Sequence, residues 1–505
     1  MKTTFPPDEV LGNRQLAAAV LSAACCGEGA VGTPASKKAA ASCRPRWLRH
    51  FLLPLLLVPP VDAAPVATTE ALMAAAAEAA PGTVIELAPG TFRLAAPLAL
   101  KTGTTLKGAG VGKTILSHTP EWEGNASTLP DPETNQQKFD RSGYLIHLAD
   151  RAEGISISGM TLTGPLLHGA IFGSGNADIE LHDLHLENFL YAGIRTYSLK
   201  RAKIHDCTFV DAGQRWQKGQ PGLKGGITGG GIFAIWISDS EIWNNRFLRT
   251  KDAANEHYYG IKGRQGKRLH IHHNTIEVNF SIEFPFENDE DIEISHNVLH
   301  GTVSIPKHGG GPVPASGRTF RLHHNLFTSS YSIEFVRNGV EIDHNLFDFD
   351  VQQDGGNLIS GFGKAPAPGP ASFHHNLVSC PGRGVIWINE PFANLHIHHN
   401  HIVARTTATP RTEGLFGFHQ ACDFTTFRFT DNIIECEGTP RPLFRNDASA
   451  VMPLENNRLT GVSDTSRYEN PSSSQPGPGP LTFRCGVNGE RLVEDWQHRL
   501  EAAAP

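Results

Sequence analysis

Five side chains occupy one position of a recurring strand: Arg195, Lys262, Glu283, Ser304 and Glu334. The strands that carry them read GIRTYS from Gly193, GIKGRQ from Gly260, SIEFPFEN from Ser281, TVSIPKH from Thr302 and YSIEFVRN from Tyr331. Side chains alternate along a strand. With Ile194, Ile261, Ile282, Val303 and Ile333 facing inward, the residues that follow them face outward. Two positions on, the same face continues with Tyr197 and Arg264, and Lys307, His308 and Arg337 lie at the strand ends nearby. The segment before Gly260 brings His257, Tyr258 and Tyr259 to the edge of this face, while GIFAIWI at 231–237 puts apolar residues in the same column.

Cations, carboxylates and aromatic rings on one face suit a chain of uronic acids. Elimination from a uronate requires its carboxylate to be neutralised, the C5 proton to be removed and the departing oxygen to be protonated. Lys262, beside the cation Arg264, is the candidate base. Arg264, Arg195 or Arg337 is placed to hold the carboxylate, with Lys307 at hand. Tyr258, Tyr259 or His257 is the candidate proton donor, and Glu283 and Glu334 offer oxygen ligands to calcium. Arg195, Tyr197, His308 and Glu287 complete a substrate-binding set.

Three other readings stay open. Glu283 and Glu334 are two strands apart, about 9.6 Å at the usual strand spacing, close to the separation of an inverting glycoside hydrolase. An epimerase shares the first proton abstraction, and a non-catalytic carbohydrate-binding protein would use the same face. Outward charges on a sheet also commonly do no more than face water, and Lys beside Glu is a routine cross-strand pair. The clustering with Tyr and His, and the loops at 211–230 and 308–318, favour a site.

What positions these residues is a repeat. A turn-plus-strand phrase recurs as NNRF, HHNTI, SHNVL, HHNLF, DHNLF, HHNLV, HHNHI, DNII and ENNRL. Its asparagines are Asn245, Asn274, Asn297, Asn325, Asn345, Asn376, Asn400, Asn432 and Asn457, separated by 20 (325 to 345) to 32 (400 to 432) residues. Short alternating strands at this period signal a solenoid. Asn tolerates left-handed backbone angles, and stacked turns allow its side chains to bond to one another in a ladder. The histidine pairs His272-His273 and His323-His324 suggest a metal row, but their spacing follows the repeat, so they are read as turn structure. Cys207 fills an Asn position and reads as a buried thiol.

Upstream, residues 67–80 predict a short helix capping the open end of the core, followed by strands in residues 81–87, 90–94 and 104–110. These segments resemble the opening of right-handed parallel β-helix proteins of the pectin-lyase-like superfamily, over residues 66–460. The resemblance implies an all-β, right-handed parallel β-helix with a short N-terminal capping helix. The face described above is similar, by residue type and location, to those of β-helical alginate and chondroitin lyases, which use a Lys, an Arg and calcium-binding acids. The local order differs, since Lys262 precedes Glu283 and Glu287 here. The expected function is a secreted lyase that cleaves a uronic-acid-containing polysaccharide.

Composition agrees. The chain has 505 residues, 39% of them hydrophobic, with 51 Gly and 34 Pro for many turns. Net charge is −7, from 44 Lys and Arg against 51 Asp and Glu, which argues against a general nucleic-acid partner. Residues 1–64 read as a leader: Arg44, Arg46, Arg49 and His50 precede the apolar run 51–58, which is too short to span a bilayer. Residues 65–470 form the β-helix domain, and 471–505 a Pro/Gly/Ser-rich linker and tail. Expected surroundings are therefore extracellular or periplasmic, with a monomer acting on an acidic polysaccharide and no membrane contact after processing. Export would allow Cys422 and Cys436 to pair. No CxxC pair, GxSxG elbow or HExxH motif is present.

Overall fold

The computed structural model describes residues 64–463, apart from 123–141, 166, 213–228, 251–257, 285–288, 306–318, 329–331, 336–338, 349–356, 362–369, 381–383, 406–413, 439 and 446–453. All described residues belong to one compact unit within 63–505. The leader and the C-terminal tail lie outside the described residues.

The capping helix is Thr69–Glu78. Thr68 supplies its N-cap, accepting from the Ala71 N–H. Leu72 and Ala76 are buried against the first coil. The strands after it fall into three parallel stacks, one strand of each per coil. The first stack runs through Ala192–Lys200, Tyr258–Arg264, Phe280–Glu283, Thr302–Ser304 and Ile333–Phe335. The second holds Lys267–His272, Glu290–Ser295, Phe320–His323, Val340–Asp343, Ala371–His374 and Leu395–His398. The third holds Thr275–Glu277, Val298–Leu299, Leu326–Phe327 and their successors. Inside, like side chains stack from coil to coil: Phe209 lies on Phe247 at 4.6 Å between ring centroids, and Phe327 on Phe347 at 4.7 Å.

The asparagine ladder closes the turn between the second and third stacks. Each Nδ2 from Asn245 to Asn432 donates to the Oδ1 of the next asparagine at 2.9–3.1 Å, and each of those backbone N–H groups donates to the same oxygen. Turn carbonyls that would otherwise be buried unpaired receive the remaining amide hydrogens, as Ile242 O does from Asn274. One detail differs from expectation. The left-handed residue is the one before each asparagine: His273, His296, His324, His344, His375 and His399 have φ of 52–56°. Cys207 takes the asparagine column at the upstream end, and its N–H donates to Asn245 Oδ1. Burial pushes its thiol up to about 12. Cys422 and Cys436 are separate buried free thiols, so the expected pairing is not made.

Candidate functional site

On the first stack the register aligns Arg195, Phe233, Lys262, Glu283, Ser304 and Glu334 as successive rungs. The column expected from the sequence is therefore present, with Phe233 inserted between the two cations. Tyr197, Ile235 and Arg264 form the parallel column two residues on. Ser360 and Trp387 extend the first column beyond Glu334.

The outward side chains are not open to water, as the alternation alone implied. Arg195 is 4% exposed, Lys262 6%, and Glu283 and Glu334 7% each. An aromatic layer outside the core covers the Arg195 end of the column. Tyr144 packs on Phe172 at 5.2 Å, Phe172 on Tyr197 at 6.0 Å and Tyr191 on Phe233 at 5.8 Å. Arg195 is caged there: Nη1 donates to the Tyr191 hydroxyl at 2.7 Å, Nη2 to the Tyr197 hydroxyl at 2.6 Å, and Cζ sits 3.9 Å from the Phe233 centroid. Arg195 and Tyr197 thus hold one another, and the geometry makes them positioning residues where the sequence suggested direct ligands. Phe172, Tyr191 and Phe233 were missed because apolar outward residues read as breaks in the pattern. Phe172 and Phe233 flank Arg195 in one column, and that recurrence was the available signal.

Lys262 Nζ lies 2.9 Å from Glu283 Oε2. The contact is an ion pair off the hydrogen-bonding directions, and Oε2 accepts no aligned hydrogen bond among the described residues. The same ammonium sits 4.3 Å from the Tyr259 centroid and 5.5 Å from that of Phe233. Arg264 faces the same Phe233 ring at 5.8 Å. Lys262 is thus one half of an ion pair with a carboxylate, where the sequence suggested a base set only beside the cation Arg264. On the other side, the Ser304 hydroxyl donates to Glu334 Oε2 at 2.8 Å.

The two adjacent tyrosines point opposite ways. Tyr258 is fully buried in the core, where burial pushes its phenol pKa up, so it is withdrawn as a proton donor. Tyr259 lies outside, stacked on Phe280 at 4.9 Å. The alternation breaks at Gly260, whose missing Cβ would stand 2.5 Å from Ile276 Cγ2. Gly260 and Ile261 both face inward, which puts Tyr259 and Lys262 on one side. His257, Glu287, Lys307, His308 and Arg337 lie outside the described residues.

Calcium fits the described donors poorly. A calcium shell takes six to eight oxygens. Here Glu283 is engaged by an ammonium, and Glu334 stands two rungs away with Ser304 between. The groups of three metal-ligating side chains found among the described residues lie on the second stack instead: His374, His375 and His398; Glu241, His270 and His272; and Glu341, Asp343 and His374.

A parallel coil of three strand stacks, ladders at its turns and one polar column on an outer face defines a class of protein. The chain is a right-handed parallel β-helix protein. Residues 145–348 match the family model described as a right handed beta helix region. No curated protein matches the sequence. Solved structures align with the chain at low identity. The alginate lyase from Paenibacillus sp. str. FPU-7 is 14% identical, with 66% of this chain and 97% of that one covered and a TM-score of 0.37. A mannuronan C-5 epimerase A-module from Azotobacter vinelandii is 12% identical, with 78% and 94% covered and a TM-score of 0.40. The tailspike protein of E. coli bacteriophage HK620, in complex with a pentasaccharide, is 9% identical, with 79% and 75% covered and a TM-score of 0.47. Among the described residues, no helix is long and apolar enough to cross a membrane.

Proposed function

We propose that this protein is an exported carbohydrate-active enzyme that cleaves a uronic-acid-containing polysaccharide by β-elimination at the Lys262–Glu283 face. The observation that carries this reading is the ring-covered ion pair of Lys262 and Glu283, flanked by Arg264 and Tyr259. A buried cation already holding a carboxylate is suited to exchanging it for the carboxylate of a substrate. Lys262 and Arg264 then neutralise the uronate, which acidifies its C5 proton. Glu283, displaced from Lys262 by the substrate carboxylate, takes that proton. The C5–H electrons form the C4–C5 double bond, the C4–O bond breaks, and the leaving oxygen takes a proton from Tyr259 or water. Export rests on the basic and then apolar segment 44–64.

Hydrolysis is the second reading, favoured by one observation. Glu283 and Glu334 share a column two rungs apart, about 9.6 Å across the strands, near the upper limit for an inverting carboxylate pair.

The test incubates the purified chain with a panel of acidic polysaccharides, with and without calcium and with a chelator. It follows the ultraviolet absorbance of unsaturated uronate ends together with reducing ends. Absorbance that rises on one polymer and is lost in Glu283→Gln and Lys262→Met supports elimination at this face. New reducing ends without absorbance move the assignment to hydrolysis by Glu283 and Glu334. Neither signal on any polymer overturns the enzymatic reading.

A further inference from the structure

The second stack carries a motif that the proposed active face does not use. Three times a glutamate of an earlier coil holds the first histidine of a pair. Glu241 Oε1 lies 2.8 Å from His272 Nε2, Glu293 Oε1 2.9 Å from His323 Nε2, and Glu341 Oε1 3.2 Å from His374 Nε2. An ionised carboxylate only accepts, so each Nε2 carries the proton and each Nδ1 is left with its lone pair. That lone pair points at the next residue: His272 Nδ1 lies 2.7 Å from His273 Nδ1, His323 Nδ1 2.9 Å from His324 Nδ1, and His374 Nδ1 2.9 Å from His375 Nδ1.

A carboxylate on the far nitrogen is how proteins orient a histidine that binds a metal. At one place the next coil completes the set. His398 is in register with His374, their rings stack at 4.7 Å, and nitrogens of His374, His375 and His398 all lie within 4.8 Å of one another. Two imidazole nitrogens on one tetrahedral zinc ion are roughly 3.3 Å apart, from Zn–N bonds of about 2.05 Å. Small ring rotations therefore suffice. For His375 to bind through Nδ1, its proton moves to Nε2, with no change in net charge.

We propose that His374, His375 and His398 form a site for an imidazole-preferring divalent transition ion such as zinc, with Glu341 as the residue that orients His374. The site joins two coils across the turn and is separate from the Lys262–Glu283 face. It does not depend on the polysaccharide reading.

The test titrates zinc chloride into the untagged, chelator-treated full chain by calorimetry, with cobalt(II) visible absorption as a second readout. The wild type is expected to bind one zinc ion tightly and to give intense cobalt bands of tetrahedral character. Glu341→Gln, which keeps every ligand, is expected to weaken zinc about 10- to 100-fold. His374→Gln with His398→Gln is expected to abolish that site, while His272→Gln with His273→Gln leaves it unchanged. Circular dichroism without metal reports whether each variant folds. If the His374/His398 variant fails to fold, the Glu341→Gln result decides. Weak binding only in the wild type, affinity unchanged in Glu341→Gln, or equal loss in the His272/His273 control overturns the proposal.

Discussion

Lys262 Nζ and Glu283 Oε2 meet at 2.9 Å on neighbouring rungs, with side chains 7% and 10% exposed. Removing one partner of so buried a pair strands the other charge, whereas replacing both by apolar groups removes the desolvation cost along with the attraction. Lys262→Met alone is expected to cost about 3–5 kcal/mol of stability. Lys262→Met combined with Glu283→Leu is expected to recover most of it, and both variants lose polysaccharide cleavage. Guanidinium unfolding of the single and double variants checks the first part. A double variant as unstable as the single one would show that the surrounding rings, and not the charge pair, set the cost.

The ladder is tested at its middle. Asn325 Oδ1 accepts from both the backbone N–H and the Nδ2 of Asn297, at 3.0 and 2.9 Å. Asn325→Ala leaves the buried Asn297 N–H without its acceptor and takes the Nδ2 donor from the Ile294 carbonyl, at about 1–3 kcal/mol for each group left unpaired. A loss of about 2–5 kcal/mol is expected, read as an earlier unfolding midpoint. A cost near that of an ordinary surface substitution would mean that water replaces the amide in the turn.

The column Arg195, Lys262, Glu283, Ser304 and Glu334 was legible because one inward Ile or Val per strand sets a period of two across every coil. The ladder asparagines were legible because each turn needs the same side chain. The inversion of Tyr258 and Tyr259 was not. It depends on Gly260 turning inward toward Ile276, a contact that the alternation of its own strand does not encode. The glutamates that hold His272, His323 and His374 were hidden for a related reason. They come from other coils, 30 to 33 residues away, across loops of unequal length.

Acid is expected to loosen the turn through its stacked imidazoles. His296 lies on His273 at 4.9 Å and on His324 at 5.1 Å, and His324 lies on His344 at 5.2 Å. Burial first, and the neighbouring histidines second, hold His296 and His324 at pKa values of about 4. In the unfolded chain a histidine titrates near 6.5. The folded form therefore binds fewer protons between these values, and stability rises with pH there. The contribution of these groups is complete above about pH 6.5, falls as pH drops toward 4, and changes no further below that. Melting temperature against pH is expected to decline across this window. His296→Asn with His324→Asn, which keeps a residue tolerant of the left-handed turn, is expected to flatten the decline. An unaltered slope in that variant would assign the acid sensitivity to other groups.

Gly263 separates the two cations of the candidate site, and no side chain fits there. A Cβ at this position would lie 2.0 Å from Phe284 Cε1 and 2.6 Å from two further atoms of the same ring. Phe284 is 1% exposed in the core and has little room to retreat. Gly263→Ala must therefore shift either the ring or the strand that carries Lys262 and Arg264. Overpacking of this kind costs about 1–3 kcal/mol, which leaves a fold of this size intact. Polysaccharide cleavage is expected to fall much further than stability, because Lys262 and Arg264 must face one substrate carboxylate together. Paired measurements of cleavage rate and melting temperature separate the two effects. If both fall in proportion, Gly263 serves packing alone; if the rate falls with the melting temperature nearly kept, the glycine sets the distance between the cations.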